Sequence, residues 1–343
     1  MAVTVAVDAN GADLGPAEVA RGAAELVEAD PDVRVVLFGP AAELPSLPAG
    51  VEVVDAPVSI AKEADPARAV RARKDASIVQ AWGAVADGRA DALVSGGSTG
   101  AALAAGLFAV KRARGIYRPA LAIVVPAPDH PFLLLDAGAN AEVRPEHLVQ
   151  FAHMGAAYAR EVLGVTAPRV ALLSNGTEPS KGTALVQAAQ AALADMPGFV
   201  GQVEGFTVHG GDCDVLVADG FTGNVMLKTM EGTLKAVLGA VRSAATSSLS
   251  AKAGGLLLRP ALGGLRSDLD PELQGGAVLL GLRRPAVVPH GSFTRRGFAT
   301  AIARAASAVE RDVVGRTHAA LEAAGALRRA PEPSEAGATV RGT

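Results

Sequence analysis

The sequence predicts an α/β fold in which helices cover both faces of a mostly parallel β-sheet. Short apolar runs rich in Val, Leu and Ile alternate along the chain with longer Ala- and Leu-rich stretches of helical period. Runs that are apolar throughout, rather than at every second residue, are typical of strands buried on both faces. Strands separated by helices join through crossovers, which places them parallel. The eight predicted strands are "VTVAV", "RVVLF", "DALVS", "ALAIVV", "FLLLD", "RVALL", "DVLVA" and "PAVVP".

Length and composition predict one large domain. The 343 residues are 50% hydrophobic, which is enough for a sizeable core in one domain or in two closely joined halves. We predict a single α/β domain over residues 1–328, with an amphipathic helical hairpin at residues 246–270. Residues 329–343, "RAPEPSEAGATVRGT", are rich in Pro, Gly, Ser and charge, so we predict a disordered tail.

Composition disfavours nucleic acid as a partner and predicts a cytoplasmic location. A formal net charge of −3 and 3% aromatic residues leave neither a basic stripe nor many rings on which bases could stack. The single cysteine cannot form an internal disulfide, and the opening "MAVTVAVDAN" has no basic segment before its short apolar run. No apolar run approaches the roughly 20 residues of a membrane-spanning helix, so we expect any membrane contact to be peripheral, at the inner face.

Polar, glycine-rich segments follow five of the predicted strands. Ligands of parallel α/β sheets bind beyond the carboxyl ends of the strands, so these segments point to one crevice. Glycines allow close approach to a ligand, and a following Ser, Thr or Asn can cap a helix whose N-terminus attracts anions. None matches the G-x-G-x-x-G or G-x-x-x-x-G-K-[ST] pattern, and each alone is more typical of architecture than of function. The segments read "VDANGADLGP", "VSGGSTGA", "LDAGAN", "LSNGTEPSKGT" and "ADGFTGN".

The segment "VLVADGFTGNVMLKTMEG" places polar groups at the end of a buried strand. Asn224 and Lys228 are four residues apart, so an amide and an ammonium lie on one face of the predicted helix. Asp219 caps this helix or belongs to the site, and the residues alone leave both roles open. Lys181 and Lys74 add cations near other predicted helix starts, although a lone lysine is more often a solvated surface charge.

Eleven motifs in one order resemble the PlsX family, the phosphate acyltransferases, from about Val3 to Arg304. The resemblance implies a fold similar to phosphotransacetylases and to isocitrate and isopropylmalate dehydrogenases. It also implies transfer of an acyl group from acyl carrier protein to inorganic phosphate, giving an acyl phosphate for phospholipid synthesis. The motifs are "VDANGADLGP", "RARKDAS", "DALVSGGSTGA", "RPALAIVVP", "LLLDAGAN", "RPEHLVQFAHMG", "GTEPSKG", "VEG", "DGFTGNVMLKTMEG", "GGAVLLGL" and "HGS".

The resemblance implies direct attack of phosphate on the thioester. Lys181 and Lys228 would offset phosphate charge, and Asn224 with the N–H groups of Ser98–Gly100 would hold phosphate or carbonyl oxygens. Asp219 would orient a lysine or the phosphate, and His290 would assist the leaving thiol or cap the following helix. The predicted substrate-binding residues are Asp8, Lys74, Asp75, Ser98, Thr99, Gly100, Asn140, Glu178, Thr222 and Gly223. The predicted partners are acylated carrier protein and inorganic phosphate, with no cofactor and no metal.

The chain departs from the usual family pattern at a few positions of these motifs. Asn10, Ala12 and Leu14 stand where the family usually has Met, Gly and His, and Ser98 and Thr183 stand where it usually has Asn. These departures leave open a protein that binds acyl carrier protein or phosphate without turnover. A dehydrogenase on the same fold is the second alternative, disfavoured because the required set of aspartates and arginines is not apparent.

Cys213 is the alternative nucleophile, and its surroundings argue against that role. Asp212 and Asp214 flank it, and nearby anions oppose thiolate formation. The apolar strand that begins at Val215 predicts burial. The six histidines are scattered without a His-x-x-x-His pair, which gives no support for a metal site.

Two further features concern surfaces. In "LSAKAGGLLLRPALGGLRSDL", leucines follow helical spacing and a basic residue recurs every seven positions, while Pro260 and two Gly-Gly pairs are expected to break the segment into short helices. Its leucine face fits either an anionic membrane or a homodimer contact, and the family resemblance implies both. Three basic clusters, at residues 111–114, 283–284 and 295–296, are predicted to meet an acidic carrier protein.

Overall fold

The computed structural model describes residues 2–127 and 130–328, and within them eleven strands form one sheet. The strands are β1 (Val3–Asp8), β2 (Val33–Gly39), β3 (Val51–Asp55), β4 (Ala92–Ser95), β5 (Ala120–Val125), β6 (Phe132–Leu135), β7 (Val170–Ser174), β8 (Phe199–Glu204), β9 (Val215–Val217), β10 (Ala277–Leu280) and β11 (Ala286–Val288). Their order across the sheet is β3-β2-β1-β4-β11-β10-β5-β6-β9-β7-β8.

Ten α-helices belong to the same described residues. They are α1 (Pro16–Ala29), α2 (Pro66–Ala72), α3 (Ser77–Ala86), α4 (Thr99–Ala109), α5 (Pro145–Glu161), α6 (Ala184–Leu193), α7 (Gly220–Ala245), α8 (Leu249–Asp268), α9 (Arg295–Glu310) and α10 (Val313–Ala323). Three short 3-10 turns lie at Ala41–Glu43, Val208–Gly210 and Pro271–Gln274.

The sheet is mostly parallel, as predicted, but its two halves run in opposite directions. Among the described strands seven pairings are parallel and three are antiparallel. The antiparallel pairings are β11 with β10, β10 with β5, and β5 with β6. Because three reversals separate β11 from β6, the strands from β6 to β8 run opposite to β1–β4 and β11. The carboxyl ends of these two groups of strands therefore lie at opposite edges of the sheet, where an edge is the row formed by the strand ends.

Apolar side chains fill both faces of the sheet, which confirms the predicted layering. In β1, Val5 and Val7 join one buried cluster while Ala6 joins the other, as expected for a strand with no solvent face. Helices α1, α5, α6, α9 and α10 cover the first face, and α2, α3, α4 and the base of α7 cover the second. On that second face Trp82 is fully buried and donates its indole N–H to the carbonyl of Ala102 at 2.9 Å. Each large apolar side chain so buried stabilises the fold by about 1.5–3 kcal/mol.

All eight predicted strands are present, and three were missed. The missed strands are β3, β8 and β10. β3 and β8 are the two outermost strands of the sheet, where exposure to solvent removes the continuous apolar run that identified the other strands. In β8, Gly201 adopts a φ of 94°, and the pairing with β7 shifts register beside it.

The protruding hairpin is larger and more regular than predicted. It consists of α7 and α8, so its first helix begins at Gly220, and α8 runs unbroken through Pro260. The expectation of several short helices was wrong, because a proline removes one backbone hydrogen bond and bends an exposed helix without ending it. No described helix is long and apolar enough to cross a membrane. The predicted tail at residues 329–343 lies outside the described residues.

Candidate functional site

A buried carboxylate organises the loop on which α7 is seated. Asp136 follows β6 and is fully buried. It accepts five hydrogen bonds of 2.8–3.1 Å, from the backbone N–H groups of Leu121, Gly138, Ala139 and Asn140 and from the side-chain amide of Asn140. Burial raises the pKa of Asp136, while these donors act in the opposite direction. The loop at residues 136–140 is therefore held as one rigid turn.

Two glycines let the start of α7 rest directly on this loop. The N–H of Gly220 donates to the carbonyl of Asn140 at 2.8 Å, and a Cβ at Gly220 would lie 2.7 Å from the backbone of Asn140. A Cβ at Gly223 would overlap the carbonyl oxygen of Asp136. The glycine spacing in "DGFTGN" is thus explained by close packing of backbone on backbone.

Asp219 takes the capping role that the sequence left open. One of its carboxylate oxygens accepts from the N–H of Thr222 at 2.8 Å, and the other accepts from the Thr222 hydroxyl at 2.7 Å. Within the described residues Asp219 contacts no lysine. Among the first three residues of α7, only the N–H of Phe221 has no described hydrogen-bond partner. A ligand bound at this end of the helix must therefore take most of its hydrogen bonds from side chains.

The next two turns of α7 carry the candidate reactive groups. Asn224 is exposed and lies against Gly138, its Cβ 3.6 Å from where a Cβ on Gly138 would be. Lys228 places its Nζ 2.8 Å from Oε2 of Glu231 and 3.4 Å from Nε2 of His290, which follows β11. Helix α7 thereby connects the loop after β6, at one edge of the sheet, with the loop after β11, at the other.

His290 contacts Ser292 through Nδ1 and Lys228 through Nε2. The backbone N–H of Ser292 donates to Nδ1 at 3.3 Å, and the Ser292 hydroxyl lies 2.8 Å from the same atom. When Nδ1 accepts from this N–H, the neutral ring carries its proton on Nε2, the atom that faces Lys228. Two N–H donors 3.4 Å apart can share one acceptor oxygen between them. In the other tautomer Nδ1 donates to the Ser292 hydroxyl and Nε2 accepts from the Lys228 ammonium.

A second polar cluster surrounds Asp8 at the end of β1. Asp8 is 4% exposed and accepts hydrogen bonds from the hydroxyls of Ser77 at 2.6 Å and Ser95 at 2.8 Å. Burial raises the pKa of Asp8 to about 6, although these hydrogen bonds lower it. Asn10 donates to the Ser77 hydroxyl and to the carbonyl of Ala56, both at 3.0 Å. Asn10, which stands where the family usually has Met, is thus a hydrogen-bonded member of this cluster.

The loop after β4 lies beside the Asp8 cluster and begins α4. The hydroxyl of Ser98 accepts from the N–H of Ala101 at 3.4 Å, which is the capping function that an Asn would also perform. Thr99 and Gly100 form the first turn of α4. Leu14, by contrast, is 54% exposed, and nothing in the structure explains its replacement of the usual histidine.

The five strand ends point in two directions, which the expectation of one shared crevice did not foresee. Asp8 and Ser95 end β1 and β4, and His290 follows β11. Asp136, Lys181 and Asp219 follow β6, β7 and β9, which run the other way. The antiparallel pairings around β10 and β5 cause the separation. The structure brings together Asn140, Asn224, Lys228 and His290 along α7, and it gathers Asp8 and Ser98 near the start of α4.

The other predicted site residues lie in exposed loops with local partners. Lys74 donates to the carbonyl of Val70 at 3.2 Å. Asp75 pairs with Arg73 at 3.1 Å, and this hydrogen bond lowers its pKa. In the loop after β7 the N–H of Lys181 donates to the carbonyl of Glu178 at 2.9 Å. No described contact joins these loops to Lys228.

Sequence reasoning missed Glu231, Ser292 and Ser77, which contact predicted site residues. Glu231 could have been found three residues after Lys228, because residues at that spacing are neighbours on a helix. Ser292 follows His290 by two residues, a spacing at which a serine can bond the ring. Ser77 carried no signal, since 69 positions separate it from Asp8.

Cys213 is buried, as predicted, in surroundings that disfavour its thiolate. Its side chain is fully buried. Burial raises the pKa of the thiol to about 12, and Asp214 adds to this effect. A thiolate is the reactive form, so this residue stays unreactive at neutral pH.

Comparison with known proteins places the chain in a family. The model of the family described as "Fatty acid synthesis protein" matches residues 3–316. A phosphate acyltransferase of Geobacillus thermodenitrificans (strain NG80-2) is 42% identical over 325 residues, covering 93% of this chain and 99% of the relative. A phosphate acyltransferase of Latilactobacillus sakei subsp. sakei (strain 23K) is 45% identical over 300 residues, covering 85% and 89%.

A solved phosphotransacetylase from Streptococcus pyogenes has a similar fold. It superposes with a TM-score of 0.57 at 17% identity, covering 90% of this chain and 94% of that one. This agreement confirms the predicted phosphotransacetylase-like architecture. The family match over most of the chain and the identity to curated relatives lead to one conclusion: the chain belongs to the PlsX family, whose model is described as fatty acid synthesis protein, and it is an acyl-transferring enzyme.

Proposed function

We propose that this enzyme forms an acyl phosphate from acylated acyl carrier protein and inorganic phosphate, which supplies phospholipid synthesis. The observation that carries the proposal is the 3.4 Å separation between Nζ of Lys228 and Nε2 of His290. With the His290 proton on Nε2 both atoms are donors, and Asn224 lies one helical turn before Lys228. An ammonium, an imidazole N–H and an amide thus face the same space, a donor set that suits an oxyanion.

The reaction needs no covalent intermediate on the enzyme. Phosphate is already anionic near neutral pH, so one of its oxygens attacks the thioester carbonyl carbon, a C–O bond forms and the C–S bond breaks. The leaving thiolate takes up the proton that hydrogen phosphate gives up on becoming the acyl phosphate, and the Nε2–H of His290 is positioned to donate a hydrogen bond to the leaving sulfur. The inert Cys213 supports direct attack over an acyl-cysteine route.

Charge complementarity assigns the remaining roles. The ammonium of Lys228 binds phosphate in competition with Glu231, with which it forms an ion pair at 2.8 Å. Asn224 donates to the carbonyl oxygen as negative charge develops there, an interaction worth roughly 3–4 kcal/mol for one such donor. Holding two reactants together contributes up to roughly 7–11 kcal/mol in favourable cases.

The two other loops are proposed to bind the substrates. The N–H groups of Thr99 and Gly100 at the start of α4 would donate to phosphate or carbonyl oxygens, with Ser98 and the buried Asp8 cluster fixing that turn. Lys181 would add a second cation. Lys74, Asp75 and Glu178 stay weaker candidates, because the structure gives each of them exposed, local surroundings.

We also propose that the enzyme works as a homodimer at the inner face of the membrane. Support comes from α8, on which Leu256, Leu257 and Leu258 are 67%, 83% and 58% exposed, with Lys252 and Arg259 exposed nearby. An apolar face flanked by cations suits an anionic membrane surface. The stripe predicted from helical spacing consists of Leu258, Leu262, Leu265 and Leu269, and the side chains of Leu262 and Leu265 lie outside the described residues.

The direct test is acyl phosphate formation by the purified full-length enzyme. Acylated carrier protein and inorganic phosphate are mixed, the thiol released is measured, and acyl phosphate is trapped as hydroxamate. We expect one acyl phosphate for each thiol, dependent on phosphate, and retained activity in Cys213→Ala. Carrier binding without turnover would instead identify a binding protein. An acyl group trapped on the enzyme would contradict direct attack.

A further inference from the structure

Two turns that are far apart in sequence form one basic surface. The turn after α4 carries Lys111, Arg112 and Arg114, and the turn between β10 and β11 carries Arg283 and Arg284. The N–H of Arg283 donates to the carbonyl of Lys111 at 3.1 Å, and the side chain of Arg283 donates to the carbonyl of Arg112 at 3.3 Å. These bonds place five exposed cations on what we call the two-turn basic surface.

The cations of this surface are not neutralised by neighbouring carboxylates. Within residues 2–127 and 130–328, none of the five makes an ion pair. The third predicted basic cluster differs, because Arg295 pairs with Glu18 at 3.4 Å and Arg296 pairs with Asp270 at 3.4 Å. A concentration of positive charge on a chain of formal net charge −3 marks a surface built for an anionic partner.

The two-turn basic surface lies at the same sheet edge as the base of α7. The turn at residues 111–118 leads into β5 through Pro119, whose carbonyl accepts from the side-chain amide of Asn140 at 2.8 Å. Asn140 in turn accepts from Gly220 at the start of α7. A partner seated on the surface therefore lies next to the loop from which the candidate reactive residues extend.

We propose that the two-turn basic surface docks an acidic protein face, that of the carrier which presents the acyl thioester. The inference rests on the proposed function, and it names the docking surface. Four of the five cations are arginines, whose planar fork matches carboxylates in bidentate pairs. The turns are short and hydrogen-bonded to each other, so the charges form a fixed array. A compact rigid array suits a folded acidic partner, whereas the leucines of α8 offer the wide apolar face that a membrane requires.

The test reverses the charge of two arginines whose side chains make no hydrogen bond in the described structure. The variant is Arg114→Glu with Arg284→Glu, and the matched control is Arg34→Glu with Arg160→Glu, which makes the same charge change at exposed residues elsewhere. Carrier binding is measured by fluorescence anisotropy without turnover. KM is measured for the acylated carrier and for a neutral acyl-pantetheine thioester that lacks the protein.

We expect the surface variant to weaken carrier binding and raise the carrier KM at least about tenfold at low salt, with the difference shrinking as salt rises. The KM for acyl-pantetheine should change by less than about twofold, and the control should match the wild type. Unchanged carrier binding overturns the proposal. An equal rise in KM for both thioesters also overturns it, as does a variant that loses only its binding to anionic vesicles. If the wild type makes no acyl phosphate but the variant still loses carrier binding, the proposed function fails and the docking surface stands.

Discussion

Nζ of Lys228 lies 3.4 Å from Nε2 of His290, although 62 positions separate the two residues in the chain. Lys228 stands eight residues into α7, about 12 Å from its start, so the helix reaches from the Asn140 loop to the loop after β11. The ammonium also contacts Glu231 at 2.8 Å. Glu231 thus offers a carboxylate to the same ammonium to which we propose that phosphate binds.

Replacing Lys228 by Met keeps much of the stem and removes the charge. We expect the KM for phosphate to rise about tenfold to a hundredfold, with carrier affinity little changed, because the lost charge contact concerns phosphate alone. Steady-state acyl phosphate formation with both substrates varied gives these values. Glu231→Gln is the matched variant and should lower the phosphate KM by freeing the ammonium. An equal KM for phosphate in the wild type and in both variants would contradict the proposed role of Lys228.

Asn224→Ala should reduce turnover rather than binding. If its amide contacts the carbonyl oxygen only as charge develops, the lost hydrogen bond raises the barrier by about 2–4 kcal/mol and leaves both KM values near those of the wild type. Kinetics at saturating phosphate measure the effect, and the melting temperature confirms folding. A variant with normal kcat and a raised KM would make Asn224 a ground-state binding residue.

The two glycines Gly223 and Gly232 of α7 should respond oppositely to alanine. A Cβ at Gly223 would overlap the Asp136 carbonyl, whereas no atom lies within 4 Å of one at Gly232. We expect Gly223→Ala to destabilise the protein by about 2 kcal/mol or more and to lower activity, since the helix base must move. Gly232→Ala should stabilise by about 0.5–1 kcal/mol. Chemical denaturation compares them, and similar effects for both would refute the tight packing at the base of α7.

Asp8 should make stability depend on pH. Its pKa is raised by burial to about 6, above the unfolded value, so its contribution is fully present below about pH 4 and is lost as pH rises through 6. Asp8→Asn removes this titration. We expect the wild type to lose about 1–1.5 kcal/mol relative to the variant between pH 5 and pH 8. Unfolding free energies measured across that range should diverge, and parallel curves would show that Asp8 stays ionised throughout.

The exposed leucines of α8 are expected to drive vesicle binding. Changing Leu256, Leu257 and Leu258 to Ser should lower binding to anionic vesicles at least about tenfold, because each buried leucine contributes about 1.5–3 kcal/mol. Sedimentation with vesicles measures binding, and light scattering measures the oligomeric state. Val200→Ser with Phe206→Ser, at exposed apolar residues elsewhere, is the control. Dissociation into monomers without loss of vesicle binding would assign α8 to a dimer contact.

Local patterns that depend on neighbours in sequence were predictable. Continuous apolar runs identified eight strands, because burial on both faces leaves no polar alternation. The low reactivity of Cys213 followed from the carboxylates beside it and the apolar strand after it. The outer strands β3 and β8 were missed, since an edge strand loses that signature. Continuity of α8 through Pro260 was also missed, because a proline can end a helix or lie within one and the residue alone does not distinguish the two cases.

By itself, the sequence determined the fold class, the family and the residues available for chemistry, since these depend on hydrophobic periodicity and on motifs of adjacent residues. Only the tertiary structure decided which residues meet. Three antiparallel pairings reverse half of the sheet, so the strand ends separate into two edges, and α7 joins them by bringing Lys228 to His290. The same folding unites Lys111–Arg114 with Arg283–Arg284. Such contacts depend on strand direction and crossover length, which no single segment encodes.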